Sequence, residues 1–220
     1  MDNSKWPART VLPIAMPGVK FVVVAILFTG MFFYFGWLLT GILSLAVTVF
    51  ITWFFRDPER VAPEDKDALV APADGKVILV QRLVQSEYME EPCQKVSVFM
   101  NVLNVHVNRI PFDGMVERVQ YHPGKFFNAS FDKASVHNER NALTVRTNTG
   151  RKFVCVQIAG LIARRIVNCV TSGEQVKKGD RYGMIQFGSR LDLYLPLGFE
   201  IAVKPGDKTI AGSSIIGRMC

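Results

Sequence analysis

The sequence predicts a mainly β protein led by an N-terminal helical membrane segment, and three features carry that expectation. Residues 21–55, between Lys20 and Arg56, hold no charge at all, well beyond the ~20 apolar residues that cross a bilayer as one helix. After residue 60 the chain breaks into short runs of alternating apolar and polar side chains, the period of two expected of strands. Frequent turn signals separate those runs, each supplying Gly with Pro, Asp or Asn.

The apolar segment comes first. It is too long for a signal-peptide core, and no small-residue cleavage site follows it. Its length suits either one long tilted helix or two short helices in a hairpin, with Thr29-Gly30 and Thr40-Gly41 as the dividing points, and the hairpin is the favoured form. Lys5, Arg9 and Lys20 precede the segment and Arg56 and Arg60 follow it. Cations on both flanks place both ends of a hairpin on the cytoplasmic side of the cell membrane. The membrane-associating part is therefore residues 1–56, and residues 57–220 form the β-rich domain.

Within that domain the strand-like runs are "KVILVQRLV", "KVSVFMNV", "NALTVRT", "KFVCVQIAG" and "YGMIQFG". The turns are "PADG", "FDG", "TNTG", "KKGD" and "KPGD", of which "TNTG" predicts the clearest hairpin, over about residues 142–158. No long amphipathic helical stretch follows residue 60. "VAPADGKV" (Val70 to Val77) and "VKKGDRYGMIQFG" (Val176 to Gly188) resemble the paired turns of a barrel-sandwich hybrid, the fold of biotinyl and lipoyl carrier domains. Lys76 does not sit in a carrier's modification motif, which weakens the reading of a membrane-tethered carrier domain.

Composition narrows the chemistry. Four cysteines, at 93, 155, 169 and 220, form no Cys-x-x-Cys pair and no Cys/His cluster, which argues against a disulfide framework or a zinc site and for a reducing compartment. The formal net charge of +7 suits any polyanion. Aromatic residues gather in the membrane segment and not among the cations, so a lipid surface fits better than nucleic acid.

"APADGKV", "NVLNVHVNRIP", "NER", "KKGDRYGMIQFGSR" and the near-terminal "AGSS" follow one another in the order found in phosphatidylserine decarboxylases. Over residues 14–220 the chain resembles that family, and its short length, early apolar segment and "FFRDPER" look like the compact, archaeal-type branch. The resemblance implies a proenzyme that cuts itself at Gly212-Ser213 into a β chain of residues 1–212 and an α chain of residues 213–220, held as a heterodimer. The Ser213 hydroxyl attacks the Gly212 carbonyl and turns the peptide bond into an ester. Elimination of the upstream carboxylate leaves dehydroalanine, whose imine form loses ammonia to give a pyruvoyl group at 213. That covalent pyruvate is the implied cofactor; it forms a Schiff base with the amine of phosphatidylserine and releases CO2 and phosphatidylethanolamine, with no metal.

A serine hydroxyl needs an adjacent base, itself oriented by a third group. The resemblance points to His106 as that base and to Asp74 as its orienting carboxylate. Many relatives carry a second histidine three residues on, where this chain has Arg109; His122 is the reserve. His122, Asn128, Arg109 and Arg140 are the candidates for contact with substrate, and Ser214 for a helper at the cleavage turn. A pyruvoyl-dependent decarboxylase of a soluble amino acid would share the Gly-Ser chemistry but has no use for the apolar segment. A serine hydrolase would need a strand-to-helix elbow that this chain lacks.

Overall fold

A computed structural model describes residues 13–129, 137–161, 165–186 and 188–220. The chain divides into two compact units, Arg9–Glu59 and Arg60–Cys220.

The first unit is a helical hairpin. Helix α1 (Met16–Tyr34) carries a proline in its first turn, where a missing N–H costs nothing, and helix α2 (Leu38–Phe54) returns beside it. Phe35, Gly36 and Trp37 make the turn, with Gly36 at φ 72°, a conformation that disfavours any residue with a Cβ. The break therefore falls at Gly36 and not at Thr29-Gly30 or Thr40-Gly41. Both of those pairs stay inside helices, because an apolar environment rewards a backbone that keeps its own hydrogen bonds. Thr29 faces the partner helix: its Oγ1 lies 2.7 Å from Ser44 Oγ and 2.9 Å from Thr48 Oγ1, a polar seam of the kind that joins helices in lipid. α1 is long and apolar enough to cross a membrane, whereas α2 is a shorter apolar helix. Lys5 and Arg9 lie outside the described residues.

The second unit is mainly β. Its strands are β1 (Ala68–Val70), β2 (Gly75–Leu83), β3 (Cys93–Met100), β4 (Val107–Arg109), β5 (Gly114–His122), β6 (Arg140–Arg146) and β7 (Lys152–Ala159), followed by β8 (Arg165–Asn168), β9 (Gln175–Val176), β10 (Arg181–Gln186), β11 (Ser189–Pro196), β12 (Phe199–Ile201), β13 (Lys208–Thr209) and β14 (Ile215–Met219). They form an eight-stranded sheet in the order β13-β2-β3-β11-β7-β6-β5-β9 and two three-stranded sheets, β1-β14-β12 and β4-β10-β8. Every pairing is antiparallel. "TNTG" closes the β6–β7 hairpin as expected, with Gly150 at φ 81°. "PADG" makes no hairpin: its glycine opens β2 in an extended conformation, leaving Asp74 at the strand's entrance.

Alternation sorts the side chains of the central strands. One face of β3, β11 and β7 sends Val96, Val98, Leu191, Leu193, Phe153 and Cys155 into the main core, joined there by Leu69 and Ile216 from the small sheet. The other face is buried too but carries charge. Arg190 holds Asp192 through Nε (2.8 Å) and Nη2 (2.9 Å), and Lys95 Nζ adds a third contact at 3.0 Å. Such a cluster survives burial because each charge meets its opposite at close range, with Nη2 hydrogen-bonded to Oδ2. All four cysteines are free thiols.

Candidate active site

The near-terminal Gly-Ser-Ser is a tight turn stitched to the entrance of β2. The Gly212 N–H donates to Ala71 O (2.8 Å) and the Ala71 N–H to Ser214 O (2.8 Å), while the Ser213 and Ser214 N–H groups both donate back to Ile210 O, at 3.2 and 2.9 Å. Ser214 Oγ accepts the Ile210 N–H at 2.9 Å and so closes the turn from within. Gly212 sits at φ 74°. A Cβ built there would lie 2.7 Å from Arg109 Cδ, so both the backbone angle and the space demand glycine.

Asp74 is the carboxylate at this turn. Its Oδ1 accepts the Ala211 N–H at 2.8 Å, one residue before Gly212. Arg60 forks onto the same carboxylate, with Nη2 donating to Oδ2 at 2.8 Å and Nη1 paired with Oδ1. Nη1 also donates to Ala211 O at 2.9 Å. Arg60 and Asp74 thus grip both polar atoms of Ala211, in the planar, bidentate manner that suits a guanidinium to a carboxylate. Both side chains are about nine-tenths buried, so solvent competes little for the pair. In the sequence Arg60 reads only as a flanking cation, because nothing local ties it to Asp74, 14 residues on.

Arg109 is the second surprise. Its backbone N–H donates to Pro72 O at 2.9 Å and its Nη1 to Gly179 O at 2.9 Å. That lays its stem across Gly212, so it packs on the turn itself.

His106 lies just before β4 and is fully buried. Its Nδ1 lies 2.9 Å from Asn104 O; a carbonyl only accepts, so Nδ1 bears the proton and Nε2 is the basic nitrogen. Asp74, expected beside this ring, is bonded to Arg60 and to the Ala211 N–H. Among the described residues no hydrogen bond joins His106 to Asp74 or Ser213. Ser213 is half-buried, and its hydroxyl makes no hydrogen bond to a described residue.

The other expected residues gather elsewhere. His122 pairs with Arg140 across the β5–β6 rung. Arg140 is committed to Tyr88, whose hydroxyl accepts from Nε at 2.8 Å, and to Glu87 at 3.0 Å. Burial alone would lower the guanidinium's pKa, but Glu87 and Tyr88 outweigh it and the net shift is upward. Burial likewise pushes the Tyr88 phenol up against the neighbouring Arg140 charge. Asn128 stands in the exposed stretch after β5, beside Phe127, whose N–H donates to Asn138 Oδ1 at 3.0 Å. Among the described residues no group of three or more His, Cys, Asp or Glu side chains could hold a metal ion.

Residues 47–217 match the family model for phosphatidylserine decarboxylase. The chain is 48% identical over 207 residues to a phosphatidylserine decarboxylase proenzyme of Syntrophus aciditrophicus, covering 93% of this chain and 96% of that one. It is 47% identical over 210 residues to the proenzyme of that name from Solidesulfovibrio magneticus, covering 96% and 98%. With the one from Burkholderia ambifaria the identity is 50% over 171 residues, 78% of this chain and 79% of that protein. A match of this extent, at this identity, and ending across the Gly212-Ser213 turn places the chain in the phosphatidylserine decarboxylase family.

Proposed function

We propose that the chain is the proenzyme of a phosphatidylserine decarboxylase that cuts itself between Gly212 and Ser213 and then releases CO2 from phosphatidylserine, leaving phosphatidylethanolamine. The observation that carries the reading is the Gly212-Ser213 turn: a left-handed glycine, a serine hydroxyl with no hydrogen bond among the described residues, and a buried Asp-Arg pair fixing the preceding peptide.

Each residue has one task in this reading. Ser213 Oγ attacks Gly212 C, and the positive φ and missing Cβ of Gly212 relieve crowding at the attacked carbon. Asp74 and Arg60 hold Ala211 so that the carbonyl stays in reach, a positioning effect rather than a chemical one. Arg109, whose stem packs on Gly212 while its Nη1 donates to Gly179 O, braces the turn during the attack. His106 receives the hydroxyl proton at Nε2, its tautomer set by Asn104 O. The pyruvoyl group borne at 213 supplies the electron sink for decarboxylation. The surrounding chain then has to bind the lipid headgroup, keep water out and return one proton to carbon; His122 and Asn128 remain the candidates on the substrate side.

The apolar hairpin ties the enzyme to the cytoplasmic face of the cell membrane, where a lipid substrate resides. Intact-mass measurement of the purified protein, together with CO2 release from carboxyl-labelled phosphatidylserine, tests the whole reading. The expected masses are those of residues 1–212 and of a pyruvoyl-initiated 213–220. A full-length mass in a sample that is releasing CO2 overturns the mechanism, and equal turnover of free serine transfers the activity to a soluble amino acid.

A further inference from the structure

Five neighbouring strands of the large sheet end in register on one side. Thr209 pairs with Gly75, Lys76 with Phe99, Met100 with Ser189, and Ser189 with Ala159. The chain leaving that edge runs into Ile210 and the cleavage turn after β13, the Asn101–Asn104 loop after β3, and Gly160-Leu161 after β7. The row continues to Phe126 and Phe127, because Asn138 Nδ2 donates to both Phe127 O and Ala159 O at 2.7 Å. At ~4.8 Å per strand, β13 to β7 spans about 19 Å.

What these ends expose is apolar. Leu161 is 68% exposed, Leu103 61% and Ile210 50%, with Val102, Phe126 and Phe127 each more than a third exposed. Tips of this kind cost solubility unless something covers them. Lys125 and Arg165 are exposed along the same row, Arg165 opposite Gln186 at the end of β10. The opposite edge offers a contrast. Exposed Val84 stands there as well, but in the β2–β3 connection that also carries Glu87, Glu90 and Glu91. Apolar tips flanked by cations suit an anionic lipid surface, and apolar tips among carboxylates do not.

We propose that the edge carrying Ser213 docks on the bilayer, with Leu103 and Leu161 inserted among the acyl chains and Lys125 and Arg165 at the anionic headgroups. This inference deepens the lipid-decarboxylase reading and rests on it for its catalytic consequence. A lipid then reaches the residue at 213 headgroup first, without leaving the membrane, because the apolar tips border the turn where that residue sits. The apolar hairpin of the same chain keeps the bilayer at hand, so docking needs little affinity of its own.

The test uses the full chain reconstituted in vesicles of phosphatidylserine in a neutral phospholipid. In Leu103→Asp/Leu161→Asp, self-cleavage by intact mass and turnover of a short-chain, monomeric phosphatidylserine should match the unaltered chain. The KM expressed as mole fraction of vesicle lipid should rise about tenfold or more, since each tip loses the burial of a large apolar side chain. Val84→Asp at the opposite edge should leave all three unchanged. An unchanged vesicle KM, or an equal rise in Val84→Asp or with the short-chain lipid, overturns the docking edge while leaving the decarboxylase reading intact. Docking is also read without turnover: a fluorophore on Leu161→Cys, in a Cys220→Ser background, should be quenched by brominated acyl chains, and one on Val84→Cys should not. Quenching at 161 in a protein that releases no CO2 from either lipid keeps the docking and refutes the proposed activity; absence of quenching at 161 refutes the docking.

Discussion

The Arg60 fork is matched to one peptide unit: it reaches Asp74 and the Ala211 carbonyl while Asp74 takes the Ala211 N–H. Removing either partner strands the other in a largely buried place, at a cost of roughly 3–5 kcal/mol, and releases the peptide that presents Gly212. Ser213→Ala should therefore stay uncut at any time. Asp74→Ala and Arg60→Ala should cut slowly, and Arg60→Lys should recover only part of the rate because an ammonium cannot fork. His106→Ala should lose ~10²- to 10⁴-fold in cutting rate, the usual cost of a positioned base. His122→Ala should be cut normally. Gel-independent mass analysis over hours checks all six, and normal cutting in His106→Ala with none in His122→Ala moves the base to His122.

Strand β14 answers a question that the cleavage raises, namely what retains so short a fragment. It is the middle strand of its sheet, paired with β1 on one side and β12 on the other. Ile216 is fully buried against the main core, and Ala202 N donates to Ile216 O at 3.0 Å. The proposed cut at Gly212 would leave both ladders intact, so a 213–220 chain would stay bound without a covalent link. Ile216→Ala should weaken this anchoring by roughly 2–5 kcal/mol. The expected outcome is normal cutting followed by loss of activity on dilution, with the free 213–220 fragment appearing on gel filtration. Full retention of the fragment at high dilution would show that backbone pairing alone suffices.

For the molecule as a whole, two kinds of apolar burial divide the chain. The β unit closes its own core, whereas the helical hairpin leaves most of its apolar side chains exposed, Leu39 at 84% and Leu27 at 67%. Surface of that extent requires lipid or detergent. The protein should stay with the membrane fraction through high-salt and carbonate washes and leave it in detergent. Release by salt alone would mean that the hairpin does not insert.

The sequence by itself determined the class of each part. An uncharged run as long as residues 21–55 has no stable home in water, and the period of two in runs such as "KFVCVQIAG" fits only a pleated strand; both are local properties, legible without a partner. It also supplied the expectation of a reactive Gly212-Ser213 pair, since a Gly-Ser at that place in an ordered set of motifs resembles one family. Only the tertiary structure decided what surrounds Ser213. Asp74 and Ala211 lie far apart in the chain and meet because β13 pairs with β2, so no spacing rule foretells that Asp74 binds Arg60 and a backbone N–H and leaves His106 to a carbonyl. The same holds for Arg109, whose place on Gly212 follows from β4 pairing with β10, and for the turn at Gly36, where one positive φ outweighs two threonine-glycine pairs that a helix in lipid absorbs. Contacts made across strands depend on register, and register is set by how the whole sheet buries its faces.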